Sequence, residues 1–174
     1  MAYPIVRTDN MSGTTDSALL RSVKYGSFSG ETFTAAGINN GCVAKLDKIL
    51  DATNNREVWA AVVPAANTPL QDIVLIATPE LDPDPRNRNL DTFTNAAGSI
   101  QRGYHFHQND VFSVTSDAFT GYVSGTTAVG YAVELQADNK MKIVASATAS
   151  TTQIGKIIQI ETVGSKTYIV IRVC

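Results

Sequence analysis

YAVELQADNKMKIVA, the stretch at residues 131–145, decides the fold class. Tyr131, Val133 and Leu135 alternate with smaller or more polar side chains, and this period of two is typical of a half-buried strand. Asp138 and Asn139 then supply turn chemistry, because both side chains bond the backbone locally. The same alternation resumes at residues 140–145. We therefore predict a β-hairpin.

A second hairpin follows in GKIIQIETVGSKTYIVIRV, residues 155–173. Its strands would cover residues 155–161 and 167–173, around a turn at residues 163–166. The alternation predicts that Ile158 and Ile160 face inward from the first strand, and Ile169, Ile171 and Val173 from the second. Residues 129–173 therefore predict antiparallel sheet.

Composition and charge narrow the class of protein. Charged residues make up 17% of the 174-residue chain, and the net charge is −2; soluble domains usually contain about 25% charged residues. The chain has no run of Lys or Arg, so we expect no nucleic-acid partner. The longest apolar runs, 58–63 and 73–77, are too short to cross a bilayer, so we expect no membrane partner.

The two cysteines and the N-terminal residues are the features that indicate a cellular compartment. Cys42 and Cys174 do not form a disulfide framework, and we expect both to be free thiols. The N-terminus has neither the basic region nor the apolar core of a secretory signal. From these features we expect a protein that is made and stays in the cytoplasm, or leaves only when the cell lyses.

The remaining chain predicts more strands and one short helix. Apolar patterns predict strands at residues 19–25, 57–64 and 73–77, and a hairpin that pairs 103–107 with 111–115. Asn89 as N-cap and Gly98 as the residue after the C-cap predict a short helix near residues 90–97. The expected fold is mainly β, with antiparallel hairpins that form a small barrel or sandwich.

The domain organisation has two alternatives. Residues 1–18 are polar and predict an extended or disordered N-terminal arm, with disorder favoured in the free protein, and residues 19–174 predict one β-rich domain. A loose similarity between residues 37–80 and 103–174 leaves open a pair of similar small β-units.

The strongest candidate for metal chemistry is a pair of histidines. His105 and His107 would share one strand face, and Asp110 follows them, so the three could hold Zn, Fe or Ni. The spacing is similar to the first metal motif of cupins, but those sites take a further His, and this chain has only two. The favoured interpretation is that both rings lie on a solvent or subunit face. We therefore predict no metal, no cofactor, no catalytic residue and no enzymatic activity.

Other polar and aromatic residues are candidates for partner contacts. Arg86 and Arg88 lie in a proline-rich acidic segment, where they would pair with neighbouring carboxylates or with those of a partner. Phe119 and Tyr122 lie in a loop rich in Gly, Ser and Thr. Trp59 and Tyr104 are further aromatic candidates.

Several blocks, in this order, suggest one family. They are ATPE (77–80), RNLDTFTNAAG (88–98), NDVFSVT (109–115), VG (129–130), VEL (133–135), GKII (155–158) and YIVIRV (168–173). Together they resemble the small head proteins encoded beside the major capsid protein in tailed bacteriophages, mostly of Gram-positive hosts, which are thought to decorate or cement the shell. The resemblance covers about residue 20 to the C-terminus and defines no functional residues.

This resemblance implies a non-enzymatic virion protein on the outer surface of the capsid. Its partners would be the major capsid protein and further copies of itself, as a homo-oligomer such as a trimer or as lattice neighbours. We expect the arm, with Tyr3, Ile5 and Arg7, to run along the capsid or pair with it. The alternatives are a host- or glycan-binding virion module and a small metal enzyme centred on His105 and His107.

Overall fold

Two β-sheets make up most of the described part of the chain. The structure is a computed structural model, and it describes residues 3–7, 19–50, 57–79 and 92–174. These residues form twelve strands and two short 3-10 turns, Leu70–Asp72 and Ser116–Ala118. The prediction of a mainly β fold is confirmed.

The first sheet has six strands, and five of them close into a barrel. Its strands are β1 (Leu20–Ser29), β2 (Thr32–Ala35), β3 (Val43–Ile49), β4 (Val58–Val62), β5 (Ile73–Ile76) and β6 (Gln101–His105). The order β1-β4-β3-β5-β6 returns to β1, while β2 pairs with β1 outside the ring as a hairpin. Pairing of β1 with β4 is parallel, and the other pairings are antiparallel.

The second sheet is a curled half-barrel. Its strands are β7 (Val111–Thr115), β8 (Phe119–Thr120), β9 (Ala132–Gln136), β10 (Asp138–Val144), β11 (Gln153–Val163) and β12 (Lys166–Val173). They lie in the order β7-β12-β11-β9-β10-β8. Both hairpins predicted in residues 129–173 are present, as β9–β10 and β11–β12.

Alternation of side chains along the barrel strands produces two cores. Val23, Ala44 and Val74 point into the barrel, where they pack with Cys42. On the opposite faces of β3 and β5, Val43, Ile73 and Leu75 pack against the inner face of the half-barrel, which includes Leu135, Met141, Ile157, Ile169 and Ile171. This second, larger core joins the two sheets.

Asn139 adds a polar link between the sheets. It lies in β10, and its Oδ1 accepts a hydrogen bond from the Tyr25 hydroxyl at 2.6 Å. Its Nδ2 donates to the Val43 carbonyl at 2.8 Å. Asn139, which the sequence pattern places in a turn, therefore forms hydrogen bonds with two strands of the barrel, β1 and β3.

The inward direction predicted for the second hairpin is only partly correct. Ile169, Ile171 and Val173 are buried as expected, but Ile158 is 38% exposed and Ile157 is buried in its place. A register shift in the β11–β12 pairing between Ile157 and Gln159 is the physical cause, because one extra residue reverses the side-chain alternation.

Two other predictions fail in the described residues. Residues 103–107 and 111–115 do not pair as a hairpin: β6 belongs to the barrel and β7 pairs with β12 in the other sheet. The helix expected near 90–97 is not found at 92–97, where Asn95 and Ile38 exchange backbone hydrogen bonds as an isolated bridge; residues 90 and 91 lie outside the described residues. The chain passes from the first sheet to the second between His105 and Val111.

Candidate functional site

The described part of the N-terminal arm lies on the edge strand β7. The backbone N–H of Arg7 donates to the Ser113 carbonyl and that of Thr115 donates to the Ile5 carbonyl, both at 3.0 Å. The N–H of Ile5 also donates to Oγ1 of Thr115 at 3.0 Å. Residues 3–7 are therefore extended and paired with β7.

Apolar packing also holds the arm on the body. Ile5 is 4% exposed and Val6 is 6% exposed. Val6 belongs to the large core and lies opposite Val114 of β7 in an antiparallel bridge. Gly41 leaves room for the arm, since a Cβ there would lie 2.7 Å from Cγ1 of Val114 and 3.1 Å from Cβ of Pro4.

Arg7, the last described residue of the arm, makes two side-chain contacts with the β11–β12 hairpin. Its Nη1 lies 2.8 Å from Oε2 of Glu161 in β11. Its guanidinium carbon lies 5.2 Å from the ring centroid of Tyr168 in β12, a cation–π distance. We call the arm-binding surface, formed by Gly41, residues 113–115, Glu161 and Tyr168, the arm cleft.

The structure places the other partner candidates in different surroundings. Phe119 is buried in the large core, and Tyr122 is half-buried and packs against that core. Tyr3 is half-buried at the start of the arm. Arg86 and Arg88 lie outside the described residues.

The histidine pair does not form a metal site in the described structure. His105 is the last residue of β6, and His107 lies in the following turn, where its N–H donates to Oδ2 of Asp110 at 2.9 Å. Burial lowers the pKa of His105, and the charge of Arg21 lowers it further. No group of three or more His, Cys, Asp or Glu side chains that could hold a metal ion is found in the residues that the structure describes.

The outer half of the β11–β12 hairpin extends beyond its neighbours. β9 pairs with β11 only at residues 153–156, and β7 pairs with β12 only at 168–172. Between these limits, residues 158–167 pair along their backbones only with each other among the described strands. Ile158 and Val163, which is 55% exposed, present apolar side chains there. We call residues 158–167 the hairpin tip.

A groove lies beside β1, β4 and β6 on the barrel. Its cavity volume is about 780 Å³, a size usual for small-molecule sites. The described lining combines apolar and hydrogen-bonding side chains, among them Trp59, Ile100, Arg21, Glu57, Gln101 and Arg102. Trp59 and Tyr104 are both half-buried: Trp59 lines the groove and packs against the barrel core, and Tyr104 packs against the large core.

Sequence reasoning missed the residues that build the arm cleft and the groove. Glu161 and Tyr168 face each other within the β11–β12 hairpin, but Gly41 and the arm lie more than 100 residues earlier in the chain and reach this hairpin only through the tertiary structure. One signal was present: Pro4, Ile5 and Val6 are a short apolar run within a polar leader, which is the pattern of an edge strand that buries one segment.

Comparisons with known proteins assign no family. No protein-family model, no curated protein and no solved structure matches the chain. No helix among the described residues is long and apolar enough to span a membrane.

Proposed function

We propose that this chain is a structural virion protein that binds the outer surface of a tailed-phage capsid and stabilises or decorates it. The order of the sequence blocks described above supports the class of protein. The single structural observation that supports it best is the hairpin tip, where Ile158 and Val163 are exposed on strand segments whose backbones pair only with each other among the described strands, and which extend from a body held by a core common to both sheets.

The hairpin tip has the chemistry of a sheet-edge contact. Free N–H and C=O groups along a strand edge pair readily with a strand of another chain. Val163 and Ile158 add apolar area that a partner would bury. Repetition of such a contact over a capsid lattice would turn weak single contacts into firm attachment.

The described arm residues bind the body of their own chain. Residues 3–7 bind the chain's own β7, so in this conformation Ile5 and Val6 are not available to a shell. We therefore place the capsid contact at the hairpin tip rather than at Tyr3, Ile5 and Arg7.

Co-sedimentation with empty tailed-phage heads tests the proposal. The wild-type chain should pellet with the heads, and Val163→Asp should weaken binding by at least about tenfold, since losing one buried valine alone removes about 1.5 kcal/mol. Val123→Asp is the matched control, because Val123 is 54% exposed but lies outside the hairpin. Absence of wild-type binding, or equal binding by the two variants, would refute the proposal.

The groove favours a second candidate function, saccharide binding by a host- or glycan-binding virion module. The indole ring of Trp59 offers an apolar face, while the exposed guanidinium of Arg102 can donate hydrogen bonds to hydroxyls. Binding on a glycan array that Arg102→Ala weakens and Arg172→Ala does not would support this function, since both arginines are exposed and only Arg102 lines the groove. No binding to any glycan would exclude it.

A further inference from the structure

The arm cleft is built without any help from the arm. Its walls come from Gly41, residues 113–115, Glu161 and Tyr168, all of which belong to the two-sheet body. The arm supplies only an extended segment with the sequence Tyr-Pro-Ile-Val-Arg at residues 3–7. An arm of the same sequence would therefore fit the cleft whichever copy of the chain it came from.

We propose that copies of this chain exchange their arms, so that residues 3–7 of one copy bind the arm cleft of its neighbour. Exchange preserves each contact described for the arm, including the Val6–Val114 bridge, the Arg7–Glu161 ion pair and the packing against Gly41. Exchange of an identical element is a low-cost route to association, because the interface already exists within one copy.

The length of the connection allows a neighbour's cleft to be reached. Residues 8–18, eleven in number, join the arm to the residues that precede β1. A chain of that length spans at most about 40 Å when extended. A body of this size has a radius of gyration of about 16 Å, so the centres of two touching copies lie roughly 40 Å apart, a distance comparable with that span.

The local concentration of copies determines whether an arm binds the cleft of its own copy or that of a neighbouring copy. Binding within one copy benefits from an effective concentration on the order of millimolar. Copies packed side by side on a surface reach a comparable local concentration, and the intramolecular advantage then disappears. A copy that gives up its arm uncovers Val114 and the edge of β7, which favours refilling of the cleft by another arm.

This inference goes beyond the proposed function, since it joins copies of the chain to one another and needs no shell. If exchange occurs on a capsid, each copy is linked to the next by a buried strand. The test below uses only the purified chain, so its result is independent of whether heads are bound.

A disulfide between two differently substituted copies would report the exchange. Val6 and Val114 face each other, with hydrogen bonds on either side of the pair. Such pairs have Cα atoms about 4.5 Å apart, which suits a disulfide. We would mix Val6→Cys and Val114→Cys chains at high concentration under mild oxidation, both with Cys174→Ser because Cys174 is exposed.

The expected result is a covalent heterodimer that forms several-fold faster than the dimer from Val6→Cys and Ser165→Cys. Ser165 is exposed in the β11–β12 turn and would report random collisions, whereas Val114 is buried. A single chain with both Val6→Cys and Val114→Cys should close an internal disulfide in dilute solution. Closure in that chain without heterodimer above the collision control would overturn the exchange, and failure to close would overturn the docked arm itself.

Discussion

Nη1 of Arg7 lies 2.8 Å from Oε2 of Glu161, although 154 residues separate them in the chain. Both side chains are about one-quarter to one-third exposed, at 26% and 31%. An ion pair at that exposure contributes about 0–1 kcal/mol, and the cation–π contact of Arg7 with Tyr168 adds about 0.5–1 kcal/mol. The arm is therefore held mainly by burial, and Arg7 fixes where it ends.

Arg7→Ala should loosen the arm without unfolding the body. A loss of about 1 kcal/mol increases the open fraction of the arm roughly fivefold. The Thr115 amide, which donates to Ile5, should then exchange its hydrogen roughly fivefold faster. Lys48→Ala is the control, because it removes the Lys48–Glu31 pair on the barrel and leaves the arm unchanged. Unchanged exchange at Thr115 in Arg7→Ala would show that this contact does not hold the arm.

Gly41→Ala should destabilise the protein more than Gly98→Ala. Both glycines have φ +79, a left-handed conformation that costs a non-glycine residue about 1–2 kcal/mol. Only at Gly41 would the new Cβ also meet Val114 and Pro4, whereas nothing lies within 4 Å at Gly98. Overpacking of this kind adds about 1–3 kcal/mol.

Urea unfolding of the two glycine variants measures this difference. The free energy of unfolding should fall by about 1 kcal/mol for Gly98→Ala and by about 2–4 kcal/mol for Gly41→Ala. Equal losses would mean that the arm does not pack on Gly41. Faster exchange of the Thr115 amide in Gly41→Ala alone would identify arm release as the cause.

Side-chain alternation was enough to predict the hairpins of the second sheet, but not their finer geometry. Alternation predicts which residues share a face only while the register is uniform, and the irregularity after Ile157 exposes Ile158 instead of burying it. Pattern also cannot tell which strands pair. Residues 103–107 and 111–115 have hairpin spacing, yet the chain crosses between the sheets at that point.

The candidate site was harder to predict because its residues meet only through tertiary structure. Phe119 lies in a stretch with loop composition, but it pairs with Met141 of β10 and is buried. The polar composition of the first 18 residues favoured disorder, whereas burial of Ile5 and Val6 offsets the entropy of ordering residues 3–7. Gly41 and Tyr168 gave no local signal of an arm-binding role.

Glu134→Gln should cost less stability than Glu134→Ala. Glu134 is 0% exposed in β9, and its Oε1 accepts a hydrogen bond from the Thr148 amide in the β10–β11 loop. Its Oε2 has no hydrogen-bond partner among the described residues. Gln retains the acceptor for Thr148, whereas Ala leaves a buried N–H unpaired and a cavity, at a cost of about 2–4 kcal/mol.

Thermal unfolding of both variants at one pH checks the Glu134 prediction. Glu134→Gln should unfold close to the wild type, and Glu134→Ala several degrees lower. Hydrogen exchange at the Thr148 amide gives a local measure, because this amide should stay protected in Glu134→Gln and lose protection in Glu134→Ala. A Gln variant as unstable as the Ala variant would indicate that Oε2 makes a contact of its own.

Because its thiol is buried, Cys42 should make the free energy of unfolding fall at alkaline pH. Burial inside the barrel raises the pKa of its thiol from 9.0 to about 11. Between these values the unfolded chain releases the thiol proton and the folded chain retains it, so the free energy of unfolding falls as pH rises. From pH 8 to pH 10 the loss due to this group should be about 1 kcal/mol.

Comparison with Cys42→Ala isolates this contribution from other alkaline titrations, such as that of Tyr25, whose pKa burial also raises. Urea unfolding of both proteins at pH 8 and pH 10 should show a larger fall for the wild type, by about 1 kcal/mol. The variant lacks the titrating thiol and retains the remaining groups, so equal falls in the two proteins would show that the Cys42 thiol ionises as readily in the folded barrel as in the unfolded chain. A thiol reagent applied at pH 8 should accordingly modify the exposed Cys174 and leave Cys42 unmodified until the protein unfolds.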